Sequence, residues 1–276
     1  MKLQNSINTA SSHIKEADAL VISTGAGMGV DSGLPDFRGN EGFWNEYPPI
    51  KKLGISFSEM ANPQWFYSKP KLAWAFYGHR LNLYRSTEPH KGYQILLDIA
   101  KRKKGEYFAF TSNVDGHFQK AGYDEKKVVE CHGSINHFQC TEPCSDDIWN
   151  AKKEIVDIDM TVFEALDPLP KCKNCDKLAR PNVLMFGDWH WISSRTQRQT
   201  ERFKKWLFEM GDKKIVIIEI GAGTAVPTVR YESESILNSN NAHLVRINPR
   251  DSHTSPGQTS ITLNGLEGIK RITEKL

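Results

Sequence analysis

Four of the five cysteines stand in two close pairs, Cys140-x3-Cys144 and Cys172-x2-Cys175, with residues 145–171 between them. Thiolates at such spacings sit at hairpin tips, and two tips can share one tetrahedral Zn2+. With sulfur in all four positions no place is left for water or substrate, so the expected metal is structural. Cys131, the fifth, closes the apolar run 128–131 and reads as a small core residue. His132-Gly133 follows directly. A histidine at a strand end, beside a glycine that opens space, can act as a general base near neutral pH.

Two further groups have chemistry in them. In Ser23-Thr24-Gly25-Ala26-Gly27-Met28-Gly29, the glycines begin where the apolar run Leu20-Val21-Ile22 ends. A backbone without Cβ atoms can approach a pyrophosphate, with a helix start near Met28 aimed at it. Val30 stands where G-x-G-x-x-G has its third glycine, so the pattern also fits a plain tight turn. Asp36-Phe37-Arg38 follows Pro35 and puts an acid, a ring and a guanidinium together in a loop. Tyr77 and Arg80 are three apart on an expected helix, side by side on one face. Asn113 and Asp115 lie just past an expected strand, where such residues also commonly make turns. The other histidines are assigned to surface or structural roles.

The elements that must position these residues alternate. Apolar runs predict strands at 19–23, 107–111, 126–130, 182–186, 215–220 and 242–247. Helical patterns occupy 6–17, 70–84, 89–100 and 195–210, and residues 41–63, rich in Pro, Gly and aromatics, read as an irregular loop over a site. Strands interleaved with helices predict an α/β fold with a parallel sheet, whose ligands sit beyond the carboxyl ends of the strands. Gly25, Asn113, Gly221 and Asn248 all fall at such ends.

Composition bounds the rest. The 276 residues suffice for a full core, and 36 basic against 33 acidic residues give a net charge of +3. That is too little to indicate nucleic acid, and no apolar run approaches the ~18 residues of a membrane span. Residues 1–15 lack the apolar stretch of a secretory leader, and an odd cysteine count with metal-type spacing suits a reducing compartment. The expectation is a cytoplasmic protein without a membrane or nucleic-acid partner.

In order along the chain, several motifs together resemble the sirtuins, the NAD-dependent protein deacylases and ADP-ribosyltransferases. They are Gly25-Ala26-Gly27 with Ser32-Gly33-Leu34-Pro35-Asp36-Phe37-Arg38-Gly39, Thr111-Ser112-Asn113-Val114-Asp115-Gly116-His117, His132-Gly133, the four cysteines, and Arg180-Pro181-Asn182-Val183 through Phe186-Gly187-Asp188. The resemblance implies a Rossmann-like domain from 1–40, 90–135 and 181–276. A small domain would combine a helical insert, 41–89, with a zinc ribbon, 136–180. It implies NAD+ as co-substrate, with Gly25, Ala26, Gly27, Gly221, Ala222 and Gly223 around the phosphates and Asn248 at the adenosine ribose. Asp36, Phe37 and Arg38 would form a cofactor loop, Asn113 and Asp115 a nicotinamide pocket, and His132 the base on the ribose hydroxyls. Phe186, Gly187 and Asp188 would add a strand to an extended substrate peptide. Tyr77 and Arg80 match the pair with which some members hold acidic acyl groups. The implied reaction is deacylation of protein lysines. The alternatives are protein mono-ADP-ribosylation and a non-enzymatic NAD sensor. Departures from the family pattern include Ser112 for glutamine, Asp188 for glutamate, and Gly221-Ala222-Gly223 for Gly-Thr-Ser. The segment Gly221-Ala222-Gly223-Thr224-Ala225-Val226-Pro227 is similar to that of the macrodomain-linked bacterial sirtuins, some of which are transferases.

Overall fold

The computed structural model describes residues 2–35 and 39–276. Its strands are β1 (Ala19–Thr24), β2 (Tyr107–Thr111), β3 (Val128–Glu130), β4 (Gly133–Cys140), β5 (Ile148–Asn150), β6 (Ile158–Asp159), β7 (Glu164–Ala165), β8 (Ala179–Val183), β9 (Ile215–Ile220), β10 (Ala242–Ile247) and β11 (Thr259–Ile261). Six of them form a parallel sheet in the order β11-β10-β9-β1-β2-β3. The unbroken apolar runs of β1 and β9 follow from burial on both faces. Alternation along β1 assigns the faces: Leu20 and Ile22 pack under Lys2–Glu16, Lys91–Ala100 and Gly265–Thr273, while Ala19 and Val21 meet Ser194–Met210 and Thr228–Ser239. The chain runs outward from β1 through β2 to β3, then restarts at β9 on the other side of β1. The sheet order therefore reverses between β1 and β9, which is where ligands bind in open α/β sheets.

Strands β5, β4 and β8 form an antiparallel sheet, and β6 and β7 a two-stranded ribbon. Both pack with helix Pro70–Ser86 around a second core that includes Phe43, Tyr47, Trp74, Phe76, Phe138 and Phe163. The Trp74 indole donates to the Ala179 carbonyl at 3.0 Å, tying helix to β8. Among the described residues no helix is long and apolar enough to cross a membrane.

Three expectations change. Residues 41–63 are not an irregular loop but hold the short helices Gly39–Glu46, Pro48–Lys52 and Phe57–Met60. Pro48 starts the second, and a Ser56–Glu59 capping box starts the third, so the punctuation separates helices instead of abolishing them. The strand expected at 182–186 runs instead over Ala179–Val183. Pro181 is tolerated because β8 is an edge strand, and the chain turns at Phe186-Gly187. Residue 131 lies just beyond β3, and Cys131 is only partly buried against the core.

Candidate active site and metal centre

The loops after β1 and β9 touch. Gly25 N–H donates to the Ile220 carbonyl and Gly27 N–H to the Gly221 carbonyl, each at 3.0 Å. Gly221 has φ +62°, and a Cβ there would sit 2.5 Å from the Gly27 backbone; one at Gly25 would sit 2.8 Å from Ala222 Cα. Only glycines permit this contact. Gly25, Ala26, Ala222 and Gly223 consequently line a cavity of about 780 Å³, with Gly27 and Gly221 supporting them from behind.

The loop after β2 is fixed to the same place. Thr111 Oγ1 accepts the Asn113 N–H at 3.0 Å, and Asn113 Nδ2 donates to the Gly25 carbonyl at 3.0 Å. Asp115 Oδ1 accepts the His117 N–H at 2.9 Å. Asn113 and Asp115 both reach the cavity.

His132 stands where one sheet hands over to the other. Cys131 N–H donates to the Thr111 carbonyl, and the His132 carbonyl accepts Leu184 N–H, each at 2.9 Å. Gly133, at φ +79°, makes the bend; a Cβ there would lie 2.1 Å from the Asn182 carbonyl oxygen. The imidazole faces the cavity with Nε2 3.3 Å from Thr228 Oγ1. Burial lowers its pKa from the ordinary value, and a hydrogen bond to the Ser112 backbone works in the opposite direction.

Helix Pro70–Ser86 brings Tyr77 and Arg80 to the opposite wall. The Tyr77 hydroxyl is buried and has no hydrogen-bond partner among the described residues, and burial pushes its pKa up to about 12. Arg80 Nε donates to Tyr84 Oη at 3.0 Å. Its guanidinium lies 5.2, 5.7 and 5.4 Å from the ring centres of Phe76, Tyr77 and Tyr84. Stacking of this kind holds a weakly hydrated cation in an apolar wall.

Several expected site residues occupy other positions. Phe186 lines the cavity, but its N–H already donates to the Ala61 carbonyl at 2.9 Å, and Phe186-Gly187 is a turn, not a strand. The Asp188 carboxylate is fully buried on Arg180 Nη2 at 2.6 Å and also accepts from the backbone of Met185 and His190. The carboxylate thereby shapes the turn. Asn248 is buried as well: Nδ2 donates to the Ala222 carbonyl, and Oδ1 accepts the N–H groups of Arg250 and Asp251. Arg250 and Asp251 are the residues that reach the cavity at this end. Their signal was their place just past β10, the same signal that marks Gly25 and Asn113. Asp36, Phe37 and Arg38 lie outside the described residues.

The four cysteine sulfurs lie within 4.8 Å of one another, with Cys140 Sγ 3.7 Å from Cys175 Sγ and Cys144 Sγ 3.6 Å from Cys172 Sγ. A tetrahedron with zinc–sulfur bonds of about 2.3 Å has edges of about 3.8 Å, so the donor set fits Zn2+. None of the four lines the cavity. Zinc bound here would close the ribbon between β4 and β8, and four sulfur ligands would leave it no open position for chemistry. Protein purified without chelator is expected to carry one zinc per chain. Cys172→Ser is expected to lose it and to leave the ribbon open to limited proteolysis, because metal binding and folding are coupled at such sites. Zinc-free native protein by elemental analysis would contradict this.

These features define a Rossmann-type α/β protein with a dinucleotide-sized cleft at its switch point and a four-thiolate module beside it. A Sir2 family model matches residues 25–217. The NAD-dependent protein deacylase of Aquifex aeolicus is 30% identical over 234 residues, 84% of each chain. NAD-dependent protein deacylase 1 of Archaeoglobus fulgidus is 29% identical over 247 residues, 88% of this chain and 86% of that one. A Sir2 homologue solved with NAD superposes with a TM-score of 0.71 at 26% identity, covering 97% of this chain and 93% of the other. The chain belongs to the Sir2 family.

Proposed function

We propose that the protein is an NAD+-dependent protein-lysine deacylase that prefers acidic acyl groups such as succinyl. The observation that carries this reading is the meeting of His132, Asn113, Asp115, Arg80 and Tyr77, whose hydroxyl has no partner among the described residues, on one cavity. NAD+ supplies a ribose whose bond to nicotinamide can be exchanged for one to an acyl oxygen. Gly25, Ala26, Ala222 and Gly223 present backbone to its phosphates, and Asn113 and Asp115 hold the amide-bearing ring. His132 takes the proton of a ribose hydroxyl as that oxygen attacks the acyl carbon and the lysine nitrogen leaves. Tyr77 and Arg80 grip the distal carboxylate, which fixes the acyl oxygen against the ribose. Phe186, at the mouth, packs on the stem of the incoming lysine.

The test is mass spectrometry of the products from NAD+ and a succinyl-lysine peptide. Nicotinamide, free lysine peptide and O-succinyl-ADP-ribose are expected. ADP-ribose attached to protein with the peptide unchanged would replace this reading with mono-ADP-ribosylation. No release of nicotinamide with any acyl peptide would remove both.

A further inference from the structure

Helix Thr228–Ser239 joins the glycine loop to the proposed base. Arg230 Nε and Nη2 donate to the Ala222 carbonyl at 3.2 and 3.1 Å, and Nη2 also reaches the Asp251 carbonyl. The helix start is thereby pinned to the same loop that lines the cavity through Ala222 and Gly223. Thr228, two residues before Arg230, is half-buried and places Oγ1 3.3 Å from His132 Nε2. A hydrogen bond with the Ser112 backbone, from the loop after β2, also reaches the ring. The imidazole is thus held from two elements, one carrying Asn113 and the other fixed to the Ala222 loop.

We propose that Thr228 is the positioning residue of His132, its hydroxyl holding the ring through Nε2 beside the cavity and accepting the Nε2–H of the imidazolium. This rests on His132 being the base. Once protonated, Nε2–H is a charged donor, and a charge-assisted bond to Thr228 is stronger than the neutral bond it replaces. Thr228 thereby favours the imidazolium in a buried site that disfavours it.

Few charges face this ring. Asp115 lies on the loop after β2, Arg80 on the opposite helix, and Arg250 and Asp251 beyond β10, all in the same cavity. Glu232 stands one turn along from Thr228, with its carboxyl pKa raised by burial. Cys131 stays a neutral thiol, since burial pushes its pKa up to about 12. A hydroxyl is therefore the group on this helix placed to stabilise the protonated ring.

The test compares Thr228→Val, Thr228→Ala and Thr228→Ser. The His132 imidazole is titrated by NMR, which needs no turnover and so stands apart from the proposed reaction. In the Val and Ala proteins the pKa is expected to fall by about half a unit to one unit, the size of one lost hydrogen bond, and to return in Ser. In turnover with NAD+ and a succinyl-lysine peptide, kcat is expected to fall several-fold in Val with KM for NAD+ within two-fold, again restored by Ser. An unchanged titration in both Val and Ala overturns the proposal. So does a Ser protein as impaired as Val, which would make the residue's role one of packing alone. Should wild-type protein release no nicotinamide, the titration still decides whether Thr228 holds the ring.

Discussion

His132→Ala is expected to lower deacylation by about a hundred-fold or more while NAD+ affinity stays within a few fold. General bases contribute roughly 10²–10⁴ in rate, and the glycine loops proposed to hold the phosphates follow other strands. Only the neutral imidazole accepts a proton. Burial lowers the His132 pKa, so the base form persists below the ordinary histidine value, and the acid limb of kcat/KM is expected below pH ~6.5. The measurements are peptide turnover from pH 5 to 8 and calorimetric NAD+ binding on both proteins. Near wild-type turnover in the alanine protein would falsify the assignment. Lost deacylation with surviving self-ADP-ribosylation would shift the reaction to transfer onto protein.

The parts of the site legible in the sequence were those whose signal is local. Gly25, Asn113 and His132 each follow a short apolar run, and the parallel sheet brings all such ends to one edge. The cysteine pairs were legible for the same reason, since each pair's geometry is set within a few residues. The roles expected of Asp188 and Asn248 came from the family resemblance, and nothing in the sequence around them shows that both side chains are buried on protein partners. Arg180 reaches Asp188 across the turn, and Ala222 reaches Asn248 from another strand's loop, so each polar side chain is engaged before any ligand arrives. Burial of a carboxylate or an amide requires such partners, and no pattern in a linear sequence names them.

The fold shows the same division. The long apolar strands were found because they are buried on both faces and read without interruption. Helix Thr228–Ser239 gave little signal, since among the described residues its large apolar contacts with this core are Val229, Ile236 and the partly buried Leu237. Yet that helix carries Thr228 and Arg230, which connect the base to the glycine loop. The helices between 39 and 60 are held by capping and by aromatic contacts such as Phe43 with Tyr47 and Phe76. The contact with Phe76 is tertiary, and such contacts override a composition that reads as loop.

The second large effect is expected at Arg80. Wild-type protein should process a succinyl-lysine peptide with a higher kcat/KM than an acetyl-lysine peptide, and Arg80→Met should reverse the order. A guanidinium remains charged at any working pH and offers a fixed fork of donors to a carboxylate. Here it lies among Phe76, Tyr77 and Tyr84, where water competes weakly for the ligand. Each charge-assisted bond lost is worth roughly 1.5–3 kcal/mol, so the succinyl rate should fall about ten- to a hundred-fold. The acetyl rate should hold or rise, because methionine fills similar volume with an apolar chain and leaves no buried cation to desolvate. Tyr77→Phe separates recognition from packing: it removes only the hydroxyl that is buried without a partner among the described residues. It should cost the succinyl peptide several-fold and the acetyl peptide little. The checks are kcat/KM for both peptides on all three proteins, with zinc content and melting temperature to confirm intact folding. Equal acetyl and succinyl rates in the wild type, unmoved by either substitution, would return Tyr77 and Arg80 to a purely structural role in the helix wall.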